Sequence, residues 1–144
     1  MQSSPTPPDL IRTEHMNGSF TKYHLGGGRV LHRFTEPDTG EPHNHPWGFT
    51  SHVLSGGYVE EVYGLLPDGT VSMQEVERLP GTSHRVEAAT VHRLVRLLGP
   101  ECWTLIEAGP WEQKSGFYRF DDAGIWFRHW DEPAFTLQVA RVQY

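Results

Sequence analysis

No stretch of this chain keeps a helical period for as many as roughly ten residues behind a helix cap. Apolar and polar residues alternate instead over runs of roughly 5 to 9 residues, each closed by glycine, proline or aspartate. Val30, His32 and Phe34 alternate with Leu31, Arg33 and Thr35. After the Gly56-Gly57 turn, Tyr58, Glu60 and Val62 alternate with Val59, Glu61 and Tyr63. Pro67-Asp68-Gly69 makes another turn, and further strand-like runs start at Val71, Val91 and Cys102. The pattern predicts an all-β domain of closed-barrel or two-sheet type, with less than about a tenth of its residues in helix. A chain of 144 residues can enclose such a core without disulfides. We read 1–10, polar and proline-rich, as a flexible arm ahead of a single domain over 11–144.

Two histidines one residue apart stand at the start of another apolar run, which continues through Val53 and Leu54 to the Gly56-Gly57 turn. Side chains two apart on a strand share a face, so His43 and His45 can aim both imidazoles at one point while Asn44 faces away. Pro42 and Pro46 bracket the pair and favour extended backbone at an edge or mouth. That is half of a metal site, and the chain holds 9 histidines from which a third ligand could come. His52 has the wrong parity relative to His45. His84 and His92 flank a segment that leaves a turn glycine, Gly81, and runs into an apolar strand.

The spacing of these residues resembles a small single-domain cupin. That family's first motif is a glycine, five residues, His-x-His, three or four residues, Glu, six residues and Gly; here His43, His45 and Gly56 match. Counting back seven from Gly56 reaches Phe49, where the family has its metal-binding glutamate. In the second motif Gly81 matches the opening glycine, Glu87-Ala88-Ala89 replaces Pro-x-Gly, His92 matches the histidine and Arg96 stands at the asparagine position. The resemblance covers about residues 28 to 108. It implies a cupin-like jelly-roll β-barrel with a metal on His43, His45 and His92, and no carboxylate in the ligand set. An alternative alignment ending the motif at His84 would make that residue the ligand; the full internal spacing favours His92 and leaves His84 in the pocket.

Three neutral imidazoles suit Fe(II), Zn(II), Ni(II), Cu(II) or Mn(II). Cupins of this kind include thiol and diketone dioxygenases, so the resemblance implies an Fe(II)-dependent oxygenase acting on a small organic substrate. A non-redox cupin, either a metal-assisted isomerase or lyase or a small-molecule-binding module, is the other reading. Glu60 on the following strand could add a fourth ligand or accept a ring N–H from a ligating histidine, with Tyr58 beside it as a donor to substrate. Arg93 and Arg96 are candidate carboxylate anchors, Arg96 sharing the parity of His92. Trp47, Phe49 and Trp103 would line an apolar wall.

Lys and Arg number 12 against 18 Asp and Glu, a net charge of -6 with no basic cluster, which argues against a nucleic-acid partner. No apolar run approaches the ~20 residues of a membrane helix, and the start lacks the pattern of a signal peptide. With one cysteine, Cys102, the expected setting is the cytoplasm. The tail carries Phe117, Tyr118, Phe120, Trp126, Phe127, Trp130 and Phe135. Such aromatic area predicts strands that pack over the barrel or against a second copy, a homodimer joined through 126–144.

Overall fold

A computed structural model of the chain describes residues 10–38 and 40–143. Of the expected arm, all but Leu10 lies outside the described residues. The elements are β1 (Arg12–Asn17), β2 (Phe20–Gly26), β3 (Arg29–Phe34), β4 (Trp47–Ser55), β5 (Tyr58–Leu65), β6 (Val71–Arg78), β7 (Ser83–Val86), β8 (Val91–Leu97), β9 (Cys102–Trp111), β10 (Gly116–Asp121), β11 (Gly124–His129) and β12 (Thr136–Ala140). No helix occurs among the described residues, hence none long and apolar enough to cross a membrane. All strand pairings are antiparallel.

One sheet has six strands in the order β1-β2-β3-β9-β4-β7. The other strands form two triplets, β6-β5-β8 and β10-β11-β12. A short extended segment joins the triplets: His43 pairs with His92 on one side and with Phe117 on the other. The His43 amide donates to the His92 carbonyl at 3.0 Å and the His92 amide returns the bond at 3.1 Å, while the Tyr118 amide donates to the Pro42 carbonyl at 2.8 Å. No sheet closes on itself.

The glycine pair after β4 is required by its backbone. Gly56 and Gly57 have φ of 81° and 83°, and a Cβ on Gly56 would meet the Glu101 carbonyl oxygen at 2.0 Å.

Alternation decides what enters the space between the sheets. Val53, Tyr58 and Cys102 form a buried cluster with Phe34, Leu94 and Leu97 against it, and Phe49, Val86 and Ile106 form another with Val30 and Trp47. Each such side chain stabilises the fold by roughly 1.5–3 kcal/mol when fully buried. A third cluster, Val91, Tyr118 and Ile125, is flanked by Tyr63, Phe120 and Phe127, so much of the aromatic tail packs within the chain. Trp130 stays 62% exposed.

His32 sits on the interior face of β3 between Val30 and Phe34, its ring edge-on to Phe20 at 5.0 Å. Burial first, then the charges of Lys22 and His24, push its pKa down to about 3. The unfolded chain, with an ordinary imidazole near 6.5, therefore binds more protons below that pH. The stabilisation is complete above about pH 6.5 and drains as pH falls toward 3, at up to about 1.4 kcal/mol per pH unit. Urea unfolding of metal-free protein should show a midpoint that drops between pH 7 and pH 5, with a smaller drop in His32→Gln. Equal pH slopes in the two proteins would contradict this origin.

Candidate metal centre

The segment before β4 delivers two of the three imidazoles, and β8 delivers the third. The extended backbone at His43 to His45 turns both side chains to one side, while Asn44 is buried on the other, its carboxamide oxygen accepting from the Gly116 amide at 2.8 Å. Gln113 locks the segment from behind, its Nε2 donating to the His45 carbonyl at 2.9 Å and to the Ala88 carbonyl at 2.8 Å. The Ala88 carbonyl also accepts from the His45 amide at 3.1 Å, so the turn before β8 is tied to the histidine pair. No non-glycine residue there has positive φ, which explains how Glu87-Ala88-Ala89 does without a glycine.

The rings of His43, His45 and His92 form a nearly equilateral triangle, with centroids 5.2, 4.9 and 5.1 Å apart. One nitrogen from each lies within 4.8 Å of the other two. The Nε2 atoms of His92 and His45 face each other at 3.4 Å. Two bonds of ~2.1 Å meeting near the tetrahedral angle leave their donor atoms about 3.4 Å apart, so this pair matches a first-row divalent ion. The His45 Nδ1 is buried without a hydrogen-bond partner. Burial first, then the neighbouring His92 and His43, hold the His45 pKa well below its ordinary value. Burial and His92 also lower His43, against the pull of Asp38, whose Oδ2 is 3.5 Å from His43 Nδ1. Neutral imidazoles, the form that binds metal, are what this enclosure favours.

Glu60, only 2% exposed, does not belong to the ligand triangle. Its Oε1 lies 3.3 Å from His92 Nδ1, which leaves His92 Nε2 for an ion and fits the role of orienting that ring. Its Oε2 accepts from Arg78 Nε at 3.2 Å and lies 3.8 Å from His84 Nε2. Burial alone would raise the Glu60 pKa; the His92 hydrogen bond and the charges of His92, Arg78 and His84 outweigh it and leave it lowered. Tyr58 OH is 3.5 Å from His84 Nε2, and burial followed by the Glu60 charge raises its pKa. Burial and Arg78 lower the His84 pKa, and its Nδ1 is buried without a partner. His84 thus stands behind Glu60, outside the triangle.

Phe49 is buried with its ring 4.9 Å from His45, and Trp47 lies 6.2 Å from the same ring. Trp103 does not reach this wall. Cys102, Thr104 and Ile106 take the interior positions of β9, so Trp103 faces outward, stacked on Tyr23 at 5.6 Å with its Nε1 donating to Glu101. Arg96 was expected to share the face of His92, and the structure corrects that. The register shifts as Val59 pairs with Arg96 and Glu60 with Leu94, leaving Val95 as an extra residue in β8. After this bulge Leu97 packs inward and Arg96 is exposed. Arg93 also faces away from the triangle, its Nε donating to Glu61 at 2.7 Å. Sequence reasoning missed Arg78, Asp38 and Gln113, which reach the site only through strand pairing and carry no motif of their own.

No protein-family model matches the sequence, and no curated protein matches it. Among solved structures, KdgF from a Halomonas species is similar with a TM-score of 0.52 and 15% identity over 69% of this chain and 88% of that one. An Fe(II) HppE is similar with a TM-score of 0.54 and 14% identity over 74% of this chain, which spans 60% of that protein. The Drosophila melanogaster CENP-C cupin domain is similar with a TM-score of 0.52 and 10% identity over 74% of this chain and 86% of that one. At such identities the likeness is one of fold. Together with the strand pattern and the convergence of His43, His45 and His92, it gives the chain a cupin-like, jelly-roll type of architecture around a three-histidine cluster.

Proposed function

We propose that this protein is a metal-dependent oxygenase of the cupin type, acting on a small organic acid, with Fe(II) held by His43, His45 and His92. The observation that carries the reading is the convergence of three imidazoles with no carboxylate among the ligand atoms. An iron ion held by these three imidazoles would supply dioxygen chemistry. This chain's residues do the rest. Glu60 accepts from His92 Nδ1 and fixes that ring, Gln113 holds the backbone of His45, and Phe49 and Trp47 keep water from one side of the centre. The Fe(II) form of HppE, a relative in fold, is in keeping with that choice of metal; Zn(II), Ni(II) and Mn(II) suit the same donors.

The test is elemental analysis of protein purified anaerobically without a metal-binding tag. It is paired with oxygen uptake by the Fe(II)-loaded protein against small thiols, diketones and hydroxy acids. Uptake that depends on one substrate class supports the reading, and tight metal binding with no uptake across the panel sinks it. The Tyr58, His84, Glu60 and Arg78 chain favours a second reading, because it puts acid–base groups directly behind His92. On that reading the protein is a metal-assisted isomerase or lyase, and turnover would persist without oxygen. Exposed Trp130 supports a homodimer joined through 126–144, to be checked as sedimentation at twice 16.4 kDa.

A further inference from the structure

A row of directly paired residues leads from the histidine cluster into the C-terminal triplet. His92 pairs with His43, His43 with Phe117, and Phe117 with Arg128. Direct partners project from the same face of a sheet, so Arg128 on β11 shares the face of the two histidines. Its guanidinium lies 4.6 Å over the Phe117 ring, and that ring is 6.4 Å from the His43 ring. Together the two distances cap the separation of guanidinium and His43 ring at about 11 Å. Arg128 is half-buried and fixed by its own loop: Nη1 donates to the Trp130 carbonyl at 3.5 Å and to the Glu132 carbonyl at 3.2 Å, with the Phe135 ring 5.3 Å away. Nε and Nη2 make no hydrogen bond among the described residues. Beside Arg128 opens a cavity of about 630 Å³, lined also by Arg119, Trp126 and Phe135. The acids on its walls have donors of their own. Glu41 accepts from Arg119 at 2.9 Å, Asp121 from Trp126 Nε1 at 2.9 Å and Glu132 from the His129 amide at 2.8 Å. No carboxylate among the described residues comes within ion-pair distance of Arg128.

We propose that Arg128 sets substrate specificity, receiving the carboxylate of a small acid whose other end reaches an ion held by His43, His45 and His92. The assignment rests on the reading of that cluster as a metal site and narrows its substrate to one whose acidic group is remote from the reacting end. Nε and Nη2 form one edge of the guanidinium fork, the edge that matches the two oxygens of a carboxylate. With Nη1 tied to two carbonyls and the rings of Phe117 and Phe135 beside it, the side chain has little freedom left to lose on binding. The other arginines considered for this part are engaged or turned away: Arg119 pairs with Glu41, Arg93 with Glu61, and Arg96 is exposed. Coordination at about 2 Å at one end and a charge-assisted hydrogen bond of about 2.8 Å at the other leave roughly 6 Å for the ligand, the span of a four- or five-carbon diacid.

Glutarate serves as the probe, with glutaramate, in which one carboxylate is an amide, as its counterpart, both titrated calorimetrically into metal-free and Co(II)-loaded protein. Wild type should bind glutarate at least about tenfold more tightly than glutaramate. Arg128→Met should bring that ratio to within about twofold of unity while Co(II) per chain stays at the wild-type level, and Arg128→Lys should keep glutarate ahead. If Arg128 only staples the loop, Arg128→Met weakens both probes in equal proportion and the ratio stands, which overturns the assignment. A wild-type protein that prefers neither probe also overturns it and needs no variant. An Arg128-dependent ratio in protein that takes up no Co(II) would keep the anchor and defeat the metal-enzyme reading. Co(II) uptake with a ratio indifferent to Arg128 would do the reverse.

Discussion

Replacing His92 by alanine is expected to strip most of the bound metal, with affinity falling by more than a hundredfold. Even outer partners of a metal ligand change affinity by about 10- to 100-fold, and His92 supplies a nitrogen facing His45 Nε2 at 3.4 Å. No carboxylate stands in the triangle to take its place. His84→Ala should leave metal near one per chain, because His84 reaches Glu60 and Tyr58 and not the cluster. Phe49→Glu tests the same geometry in the other direction. Its side chain points from β4 at the His45 ring, so a carboxylate there should tighten metal binding while slowing any reaction that needs three open positions. Metal per chain in the three variants decides the matter: retention in His92→Ala with loss in His84→Ala would reverse the ligand assignment.

A comparably large loss is expected from Glu60→Ala, and it should appear even without metal. Glu60 is nearly inaccessible and serves Arg78, His92 and His84 at once. Removing the carboxylate leaves the Arg78 guanidinium, itself only 24% exposed, without its partner. Breaking a buried pair in this way costs about 3–5 kcal/mol. The freed His92 ring should also lower metal affinity by about 10- to 100-fold. Glu60→Gln keeps the shape and one acceptor, so it should lose less on both counts. Urea unfolding of the metal-free proteins and a Co(II) competition titration measure the two effects. An alanine variant matching wild type in both would mean that the network does not hold the site.

Local signals carried the fold well. Period-two alternation placed β3, β5, β6, β8 and β9, and the Gly56-Gly57 pair marked a turn that does require positive φ. The spacing of His43, His45 and His92 depends on two short stretches and one glycine, so it too was legible. What failed was whatever depends on pairing between distant strands. The bulge at Val95 reverses the face of Arg96 without any glycine to announce it. Trp103 looks like a wall residue until Cys102 and Thr104 are seen to hold the interior positions beside it. Gln113 likewise acts through two carbonyls that are far from it in sequence.

His43 offers its ring to the cluster and its main chain to the seam between β8 and β10. These two duties use different atoms, and so they diverge under mutation. Any residue with an ordinary amide can keep the seam, which leaves the chemistry at position 43 open to drift or redesign. Length is not open in the same way. One residue inserted or deleted between Pro42 and Pro46 would put Asn44 or its neighbour on the wrong side and break the bonds to His92, Gly116 and Tyr118 together. The ligand set of this scaffold is therefore editable by substitution and closed to insertion.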